Sequence, residues 1–544
     1  MTNGPLIVQS DKTALLEVDH PKASDARHDL AIFAELERAP EHIHTYRITR
    51  LGIWNARAAG HDSDFVLAIL DKYSKFAVPT SVRSDIAETM SRYGRLVIQR
   101  SEDGELELFS TDRPILLEAS RHRKIAELLD GPISNEAFRI QPWARGQVKQ
   151  ELLKLGWPAE DFAGYTDGTP HAIDLDEDGW NIRDYQTHAV DKFWSGGSGV
   201  VVLPCGAGKT IVGAAAMAVA KTNTLILVTN TVSARQWRSE LIKRTTLTED
   251  EIGEYSGSMK EVKPVTIATY QILTTKRKGE YAHLALLNAN DWGLIVYDEV
   301  HLLPAPIFKM TADLQARRRL GLTATLVRED GKEGDVFSLI GPKRFDAPWK
   351  EIEAQGYIAP AACFEVRIDL PEEERMEYAI SSQEDRYRIA ATSKTRIPVI
   401  QKLLKKHAGE PTLIIGQYLD QIHEVSAAIK VPEITGETPV DERERLFEKF
   451  RTGEISTLVV SKVANFSVDL PEASVAIQIS GSYGSRQEEA QRLGRLLRPK
   501  ADGRTASFYT LISRDTVDQD FAQNRQRFLA EQGYSYEILD AHSL

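Results

Sequence analysis

The sequence predicts an α/β protein with two parallel-sheet domains in tandem, preceded by smaller mixed α/β segments. Three observations predict this fold class. The chain has 544 residues, which exceeds a single core because domains usually hold about 100–200 residues. From Trp180 onwards, β-branched strands alternate with helical patterns, as in parallel sheets that are covered on both faces. The same alternation begins again at Thr412, which indicates a second sheet.

These patterns divide the chain into four predicted segments. Residues 1–110 form an accessory domain, and residues 111–175 form a second one that ends in a linker rich in Gly, Pro and Asp. Residues 176–355 and 356–544 form the two sheet domains, the second with a short charged helical insert at about 370–395. In the first segment, hydrophobic periodicity predicts strands at 6–9, 14–18 and 44–48 and helices at 31–38, 52–59 and 64–73.

Composition and charge limit the class of protein. The 42% hydrophobic and 27% charged residues are typical of a globular protein, and no apolar run approaches the roughly 18 residues of a membrane span. The N-terminus has no secretory signal, and two cysteines cannot make a zinc site or a disulfide framework, so we expect a cytoplasmic protein. A net charge of −12 argues against a nucleic-acid coat protein but allows an enzyme that grips nucleic acid in a local groove.

The segment after residues 200–202 has the features of a phosphate-binding loop. A β-branched strand leads into a glycine-rich turn, and an alanine-rich helix follows. Glycines let the backbone N–H groups point at phosphate oxygens, next to the positive end of the helix dipole. Lys209 is expected to contact the β- and γ-phosphates, and the Thr210 hydroxyl to hold Mg²⁺. The expected loop residues are Leu203, Pro204, Cys205, Gly206, Ala207, Gly208, Lys209 and Thr210.

Paired carboxylates end a later apolar strand of the same domain. Residues 294–297 run directly into Asp298 and Glu299. We expect Asp298 to hold Mg²⁺ and Glu299 to polarise an attacking water molecule. Paired acids at the end of a strand are common, but their combination with a phosphate loop predicts hydrolysis of ATP with Mg²⁺ as cofactor.

The second sheet domain has no phosphate loop of its own in the sequence. It carries Gln491, Arg495 and Arg498, which fall at i, i+4 and i+7 and share one face of a predicted helix. Arginines presented together suit a γ-phosphate supplied across a cleft, so these residues are candidates for catalysis. A solvated basic helix face is the alternative, and it would be favoured for these residues in isolation.

The order of these motifs resembles a superfamily 2 helicase motor. The phosphate loop, Asp-Glu-Val-His, Thr-Ala-Thr and Gln-Arg-Leu-Gly-Arg-Leu-Leu-Arg follow one another over two sheets. The sequence is most similar to the XPB family, because Arg328, Glu329 and Asp330 after Thr-Ala-Thr are a hallmark of that family. The resemblance covers residues 180–540 closely and extends more loosely to the N-terminus. It implies two RecA-like domains, a short counterpart of the family's thumb, and a compact prokaryotic-type member.

The resemblance also implies a function. It implies an ATP-driven DNA helicase or duplex translocase that moves 3′ to 5′, in DNA repair or transcription-linked DNA opening. Gln186 would recognise adenine with Arg183 beside it. Contacts to the nucleic acid would go mainly to phosphate and sugar, with little sequence specificity. Coupling of hydrolysis to domain closure is implied for His301, Thr323, Ala324 and Thr325. DNA binding or unwinding is implied for Arg235, Gln236, Thr269, Tyr270, Arg328, Glu329, Asp330, Ser461 and Lys462.

Two alternatives stay open at this point. An RNA helicase would share the motor, but it would normally carry alanine where Val300 stands and would lack the Arg-Glu-Asp motif. An ATP-switched DNA clamp is the other alternative, and it would recruit a nuclease or a transcription or repair protein through residues 1–175. We expect a monomer without membrane association, and the sequence alone does not separate unwinding from clamping.

Overall fold

In a computed structural model, the described residues form four units, each built around one larger β-sheet. None of the helices in the described part of the chain is both long and apolar enough to cross a membrane. The structure describes residues 4–40, 42–204, 206–277, 279–315, 317–324, 326, 331–347, 352, 361–461, 473–481, 505–531 and 534–544.

The first unit is an antiparallel sheet of order β1-β2-β4-β3 covered by four helices. The structure confirms the predicted strands and the predicted helices at 52–59 and 64–73, but the helix predicted at 31–38 is wrong. Its second half is a strand, because Ala34 and Leu36 face the core while Glu35 and Glu37 lie on the other face, where they are half-buried. The elements are β1 (Leu6–Val8), β2 (Thr13–Glu17), α1 (Ala23–Leu30), β3 (Ala34–Arg38), β4 (Ile43–Ile48), α2 (Arg50–Ala58), α3 (Ser63–Tyr73) and α4 (Thr80–Arg92).

The second unit is a five-stranded sheet of order β7-β8-β6-β5-β9. Its first two strands precede residue 110, so the predicted domain boundary at 110 is wrong and would cut through the sheet. The change of unit lies between the end of α4 and the start of β5. The elements are β5 (Val97–Arg100), β6 (Leu106–Phe109), α5 (Arg113–Arg121), α6 (Arg123–Ala126), β7 (Leu129–Pro132), β8 (Ala137–Ile140), α7 (Arg145–Leu155) and β9 (Glu160–Asp161).

The third unit is a seven-stranded parallel sheet of order β12-β13-β11-β16-β17-β10-β18, with a separate two-stranded hairpin. Short 3₁₀ turns lie at 249–251, 284–288 and 300–302. The elements are α8 (Asp184–Gly196), β10 (Gly199–Val202), α9 (Lys209–Ala220), β11 (Thr224–Val228), α10 (Thr231–Arg244), β12 (Ile252–Tyr255), β13 (Val265–Thr269), α11 (Tyr270–Thr274), β14 (Lys276–Arg277), β15 (Glu280–Tyr281), β16 (Leu294–Asp298), α12 (Ala305–Thr311), β17 (Arg318–Thr323), α13 (Glu333–Asp335) and β18 (Lys343–Asp346).

The fourth unit is a second seven-stranded parallel sheet, of order β21-β22-β20-β23-β24-β19-β25. When the strands of each parallel sheet are counted along the chain, both sheets have the order 3-4-2-5-6-1-7. The predicted tandem of parallel-sheet units is therefore confirmed. The elements are β19 (Ala361–Ile368), α14 (Glu372–Ile380), α15 (Gln383–Thr392), α16 (Arg396–Lys406), β20 (Thr412–Gly416), α17 (Leu419–Ile429), β21 (Glu433–Ile434), α18 (Val440–Arg451), β22 (Thr457–Ser461), β23 (Val475–Gln478), β24 (Ala506–Ser513), α19 (Val517–Glu531) and β25 (Ser535–Asp540).

The central strands are apolar throughout because both faces of each parallel sheet are buried. In β11, Leu225 and Leu227 join the apolar cluster on one face, and Ile226 and Val228 join the cluster on the other. Alternation of side chains along a strand produces this division. The continuous apolar run is therefore the sequence signal of a central strand here.

The first unit packs against both parallel-sheet units. On the third unit, the backbone N–H of Lys343 donates to Asn55 Oδ1 at 2.9 Å, and Lys343 Nζ donates to the carbonyl of Ala31 at 3.0 Å. On the fourth unit, Ala530 of α19 is buried among the apolar residues of the first unit. The preceding residue, Leu529, belongs to the core of the fourth unit. Helix α19 is therefore shared by two cores.

A buried ion pair anchors α19 to the fourth unit, and we predict that its loss destabilises that unit. Arg396 and Asp518 meet at 2.7 Å with side chains that are 1% and 3% exposed. In Asp518→Ala the Arg396 guanidinium loses its counter-charge without gaining water, so we expect the free energy of unfolding to fall by about 3–5 kcal/mol. Urea unfolding followed by hydrogen exchange of β24 measures the change.

The matched control for this prediction is an ion pair at the surface of the same unit. Arg388 and Asp420 meet at 2.6 Å with both side chains 59% exposed. Asp420→Ala should leave the urea midpoint of β24 almost unchanged, because water replaces the lost partner. Equal shifts for the two variants would contradict a special role for the buried pair.

Candidate active site

The predicted catalytic residues meet at the C-terminal edge of the third unit's sheet. Strands β16, β17 and β10 are neighbours in that sheet. Asp298 ends β16, Thr323 ends β17, and the predicted phosphate loop follows β10. Ligands of open parallel α/β sheets bind at this edge, because the loops that follow the strands converge there. Topology therefore brings together three motifs that are up to 120 residues apart in the chain.

The loop after β10 has the backbone of an anion cradle. Gly206 and Gly208 both have a φ of +82°, a left-handed conformation that glycine adopts without strain. A Cβ at Gly208 would lie 2.5 Å from the side-chain nitrogen of Gln186. Helix α9 begins at Lys209, so its first N–H groups are directed into the loop. Leu203, where the general motif has glycine, is fully buried in the apolar core and anchors the loop.

Lysine and acid side chains face each other across this edge. Lys209 Nζ lies 3.1 Å from Glu299 Oε1, and both side chains are largely buried. Glu299 has a φ of +49°, which is a strained conformation for a residue with a side chain. Trp237 Nε1 donates to Asp298 Oδ2 at 2.9 Å, and the hydroxyl of Tyr270 donates to the Asp298 carbonyl at 2.7 Å. The two carboxylates are thus fixed by different sets of contacts.

These contacts move the pKa values of the two acids in opposite directions. Burial, and then the charge of Glu299, raise the pKa of Asp298 above its ordinary value. Burial also acts to raise the pKa of Glu299, but Lys209 and His301 outweigh it and hold that pKa below its ordinary value. Acids whose environments separate their pKa values usually have separate roles. Glu299 is therefore ionised at neutral pH and can accept a hydrogen bond from water.

A polar connection links Glu299 to the end of β17. His301 Nδ1 lies 2.6 Å from Thr323 Oγ1 and 3.6 Å from Glu299 Oε2. The backbone N–H of Ala324 also bonds to Glu299. His301, Thr323 and Ala324 are all buried, so we expect a shift of this strand end to reach the Glu299 carboxylate. Their coupling role stays a prediction.

Gln186 and Tyr185 contact the loop directly, and Arg183 contacts these two residues. The Gln186 side chain is fully buried, and its amide nitrogen donates to the Ala207 carbonyl at 3.0 Å. Its amide oxygen accepts from the backbone N–H of Arg183 at 3.0 Å. The hydroxyl of Tyr185 donates to the same Ala207 carbonyl at 2.6 Å. The predicted recognition of adenine by Gln186 would therefore require these contacts to be exchanged.

Thr269, Tyr270 and Ser461 are buried, with exposures of 2%, 3% and 2%. The hydroxyl of Thr269 caps α11 by accepting from the Ile272 N–H. Their contact with DNA stays a prediction. Arg235 and Gln236 do lie exposed on α10, and their contact with DNA stays a prediction. The remaining predicted site residues, Cys205, Thr325, Arg328, Glu329, Asp330, Lys462, Gln491, Arg495 and Arg498, lie outside the described residues.

Sequence reasoning missed the site role of Trp237. The sequence does carry a signal for it, because Ala234, Trp237 and Leu241 repeat with helical spacing and are buried together. That face is opposite to the exposed Arg235 and Gln236. A buried indole N–H needs an acceptor, and Asp298 supplies it.

Two parallel sheets of the same strand order, with a phosphate loop and paired acids at one edge of the first, define a tandem RecA-like ATP-driven motor. Three family models match the chain. "ERCC3/RAD25/XPB C-terminal helicase" matches residues 352–543, "Type III restriction enzyme, res subunit" matches 180–328, and "Helicase conserved C-terminal domain" matches 6–132.

Curated relatives match along the whole chain. The DNA 3′-5′ helicase XPB of Kineococcus radiotolerans is 68% identical over 544 residues, covering 100% of this chain and 98% of the relative. The protein of the same name from Mycobacterium tuberculosis is 63% identical, covering 100% and 99%. A putative DNA 3′-5′ helicase Rad25 of Haloarcula marismortui is 37% identical, covering 97% and 83%. The chain belongs to the XPB family of DNA 3′-5′ helicases.

Trp237→Phe should weaken the response of the site to Mg²⁺. Phenylalanine keeps an aromatic ring against Gly213 but loses the hydrogen bond that orients Asp298, the predicted metal ligand. Loss of such an orienting partner typically costs about 10–100-fold in metal affinity. We expect the Mg²⁺ concentration for half-maximal ATP hydrolysis to rise by that factor, with turnover recovering at high Mg²⁺.

A second buried tryptophan of the same unit is the control. Trp292 Nε1 donates to the Leu286 carbonyl at 3.1 Å, away from the acids. Trp292→Phe removes a buried indole hydrogen bond in the same way, and it should leave the Mg²⁺ titration unchanged. A shift in this control as large as that of Trp237→Phe would contradict the orienting role.

Proposed function

We propose that this protein uses ATP hydrolysis to move along DNA in the 3′ to 5′ direction and to separate its strands. The observation that carries the proposal is the Lys209–Glu299 contact beside Asp298, at the edge where the glycine loop ends. Membership of the XPB family supports DNA as the nucleic acid. We further infer a cytoplasmic role in DNA repair or transcription-linked DNA opening, by a monomer that recruits a partner protein through residues 1–175.

The backbone and side-chain groups at this edge suit the binding of ATP with Mg²⁺. The left-handed glycines and the first turn of α9 present N–H groups to phosphate oxygens. Thr210 and Asp298 offer a hydroxyl and a carboxylate, the oxygen ligands that Mg²⁺ prefers. When bound there, Mg²⁺ would neutralise charge on the β- and γ-phosphate oxygens. Thr210 and Asp298 are the residues that would hold it.

Lys209 has two competing partners in this proposal. Its ammonium group contacts Glu299 Oε1, and the γ-phosphate of ATP is a second anion that can attract it. Binding of ATP would exchange the first contact for the second. The exchange frees Glu299 to accept a hydrogen bond from the attacking water, so the base becomes available when the substrate arrives.

Residues beyond the first sheet would complete the cycle. We propose that His301, Thr323, Ala324 and Thr325 pass the change at Glu299 to the interface with the second sheet. Gln491, Arg495 and Arg498 would then approach the γ-phosphate from the second sheet and stabilise the charge that develops there. DNA contacts are proposed for two exposed residues of α10, for two segments at strand ends and for the Arg-Glu-Asp motif: Arg235, Gln236, Thr269, Tyr270, Ser461, Lys462 and residues 328–330.

The reaction class is tested by comparing nucleic acids. ATP hydrolysis is measured with single-stranded DNA, duplex DNA and RNA, and strand displacement is measured on a duplex with a 3′ tail. We expect DNA to stimulate hydrolysis and the tailed duplex to be opened. If only RNA stimulates ATP hydrolysis, the substrate would be RNA and not DNA. Stimulation by DNA without displacement would overturn unwinding in favour of an ATP-switched clamp.

Glu299→Gln should keep ATP binding and lose turnover. Glutamine is similar in shape but cannot accept a proton from water, so we expect the hydrolysis rate to fall by about 10²–10⁴-fold. Binding of a fluorescent ATP analogue, measured beside steady-state hydrolysis, separates the two effects. Lys209→Ala is the comparison, because it should weaken binding as well. A Glu299→Gln rate close to wild type would remove Glu299 from the mechanism.

Glu329→Ala should separate hydrolysis from unwinding. A carboxylate is repelled by phosphates, so Glu329 is poorly suited to simple DNA affinity and better suited to opening a duplex or to ordering Arg328. We expect most of the DNA-stimulated ATP hydrolysis to persist while strand displacement is lost. Asp250→Ala, at an exposed turn, removes an acid elsewhere and should retain both activities. Normal displacement by Glu329→Ala would contradict this role.

A further inference from the structure

A small hairpin of the third unit projects outside its main sheet. Strands β14 and β15 pair antiparallel with each other, Lys276 opposite Tyr281 and Arg277 opposite Glu280. Lys276 and Arg277 are exposed. The ammonium group of Lys276 lies 4.9 Å from the centre of the Tyr281 ring. We call the described residues of this segment, 276, 277 and 279–281, the basic hairpin.

The turn after β12 belongs to the same cluster of charges. Lys260 Nζ lies 5.2 Å from the centre of the Tyr255 ring. The Tyr255 hydroxyl is within 3.0 Å of His283 Nδ1, two residues beyond the hairpin. Burial, and then the charges of Lys260 and Arg277, lower the pKa of His283. Positive charge from the turn and from the hairpin therefore converges on one place.

This cluster is basic in a chain that is acidic overall. Residues 256–283 contain five lysines and arginines and two glutamates, whereas the whole chain carries a net charge of −12. Binding of a polyanion depends on the local charge more than on the total. A strongly acidic protein that works on nucleic acid must concentrate its cations where the backbone passes.

The basic hairpin lies along the same sheet edge as the candidate active site. Strands β12, β13 and β11 are consecutive neighbours, and the turn, the hairpin and α10 with Arg235 follow their C-terminal ends. Adjacent strands are about 4.8 Å apart, so the segments that carry these cations leave the sheet side by side along this edge. A line of cations with tyrosine rings between them matches a chain of phosphates and bases better than a single small anion.

A short connection joins the hairpin to the active site. Helix α11 has five residues and leads directly from β13 towards the hairpin. The hydroxyl of its first residue, Tyr270, donates to the Asp298 carbonyl at 2.7 Å. A DNA strand held by the hairpin would thus lie one short helix away from Asp298, a predicted Mg²⁺ ligand.

We propose that the basic hairpin, with Lys260 beside it, binds the sugar–phosphate backbone of DNA during translocation. This inference rests on the proposed function, because it takes DNA as the substrate. Lys276 and Arg277 contact phosphates, and Tyr281 holds the Lys276 ammonium in place. The contact is independent of sequence, because phosphate and sugar are the groups that it meets.

The test is the double variant Lys276→Ala/Arg277→Ala in the full chain. The affinity for a fluorescein-labelled single strand is measured by anisotropy at several salt concentrations, together with the DNA concentration for half-maximal ATP hydrolysis. We expect both constants to rise at least tenfold. The slope of log affinity against log salt should become shallower by about 1.4, since each lost phosphate contact contributes about 0.7 for single strands. ATP hydrolysis without DNA should not change.

The matched control removes the same charge elsewhere in the third unit. Lys192 on α8 and Lys243 in the last turn of α10 are exposed and lie away from the C-terminal edge. Lys192→Ala/Lys243→Ala should retain the wild-type affinity and salt slope. The single variant Lys276→Gln should give about half of the change in the salt slope. It is the variant to use if the double variant is less stable and melts at a lower temperature than the wild type.

The outcomes separate this inference from the proposed function. If DNA neither binds to the wild-type protein nor stimulates it, the proposed function fails and this inference fails with it. If the wild type responds to DNA and the hairpin variant matches the Lys192/Lys243 control, the inference alone is overturned. The hairpin variant could also lose binding to labelled poly-glutamate while it keeps its affinity for DNA. That result would identify the hairpin as a docking surface for an acidic protein and would overturn the inference.

Discussion

The contact between the Lys209 ammonium and the Glu299 carboxylate is the interaction on which the rest of the site depends. Both groups are largely buried, and a buried charge is stable only beside a partner. The surrounding structure places the two charges within reach of each other. Gly206 and Gly208 adopt left-handed conformations directly before α9, and Glu299 also has a positive φ. An ion pair of this kind tolerates replacement of one anion by another, which is the chemistry that a nucleotide site requires.

Features of this protein that depend on residues close together in the chain could be predicted from the sequence. Features that depend on contacts between distant residues could not. The phosphate loop and the paired acids were predictable because their chemistry needs particular residues at fixed spacing. The structure of the segment at 31–38 was not predictable, because eight residues fit both the helical and the strand periodicity. Pairing with β4 decides between the two. The burial of Thr269, Tyr270 and Ser461 could not be predicted from the sequence either, because it depends on the packing of distant elements. The boundary at 110 failed for the same reason, because a sheet joins strands on both sides of it.

On the proposals above, one edge of one sheet would serve both ATP hydrolysis and DNA binding. Strands β16, β17 and β10 end at the nucleotide site, and β12, β13 and β11 end at the cations proposed to meet DNA. The seven strands are hydrogen-bonded into one sheet, so we expect the two halves of the edge to keep their spacing. Movement would then come from the loops and from the second sheet. The contact of Tyr270 with the Asp298 carbonyl is a direct link between the two halves.

Helix α19 places a strict geometric demand on its own length. Leu529 and Ala530 are adjacent in the chain, yet one belongs to the core of the fourth unit and the other to the core of the first. Each residue of an α-helix is rotated by about 100° from the one before it. A one-residue insertion or deletion upstream in this helix would therefore turn the wrong side chain to each core. Evolution can vary the sequence of such a helix more easily than its number of residues.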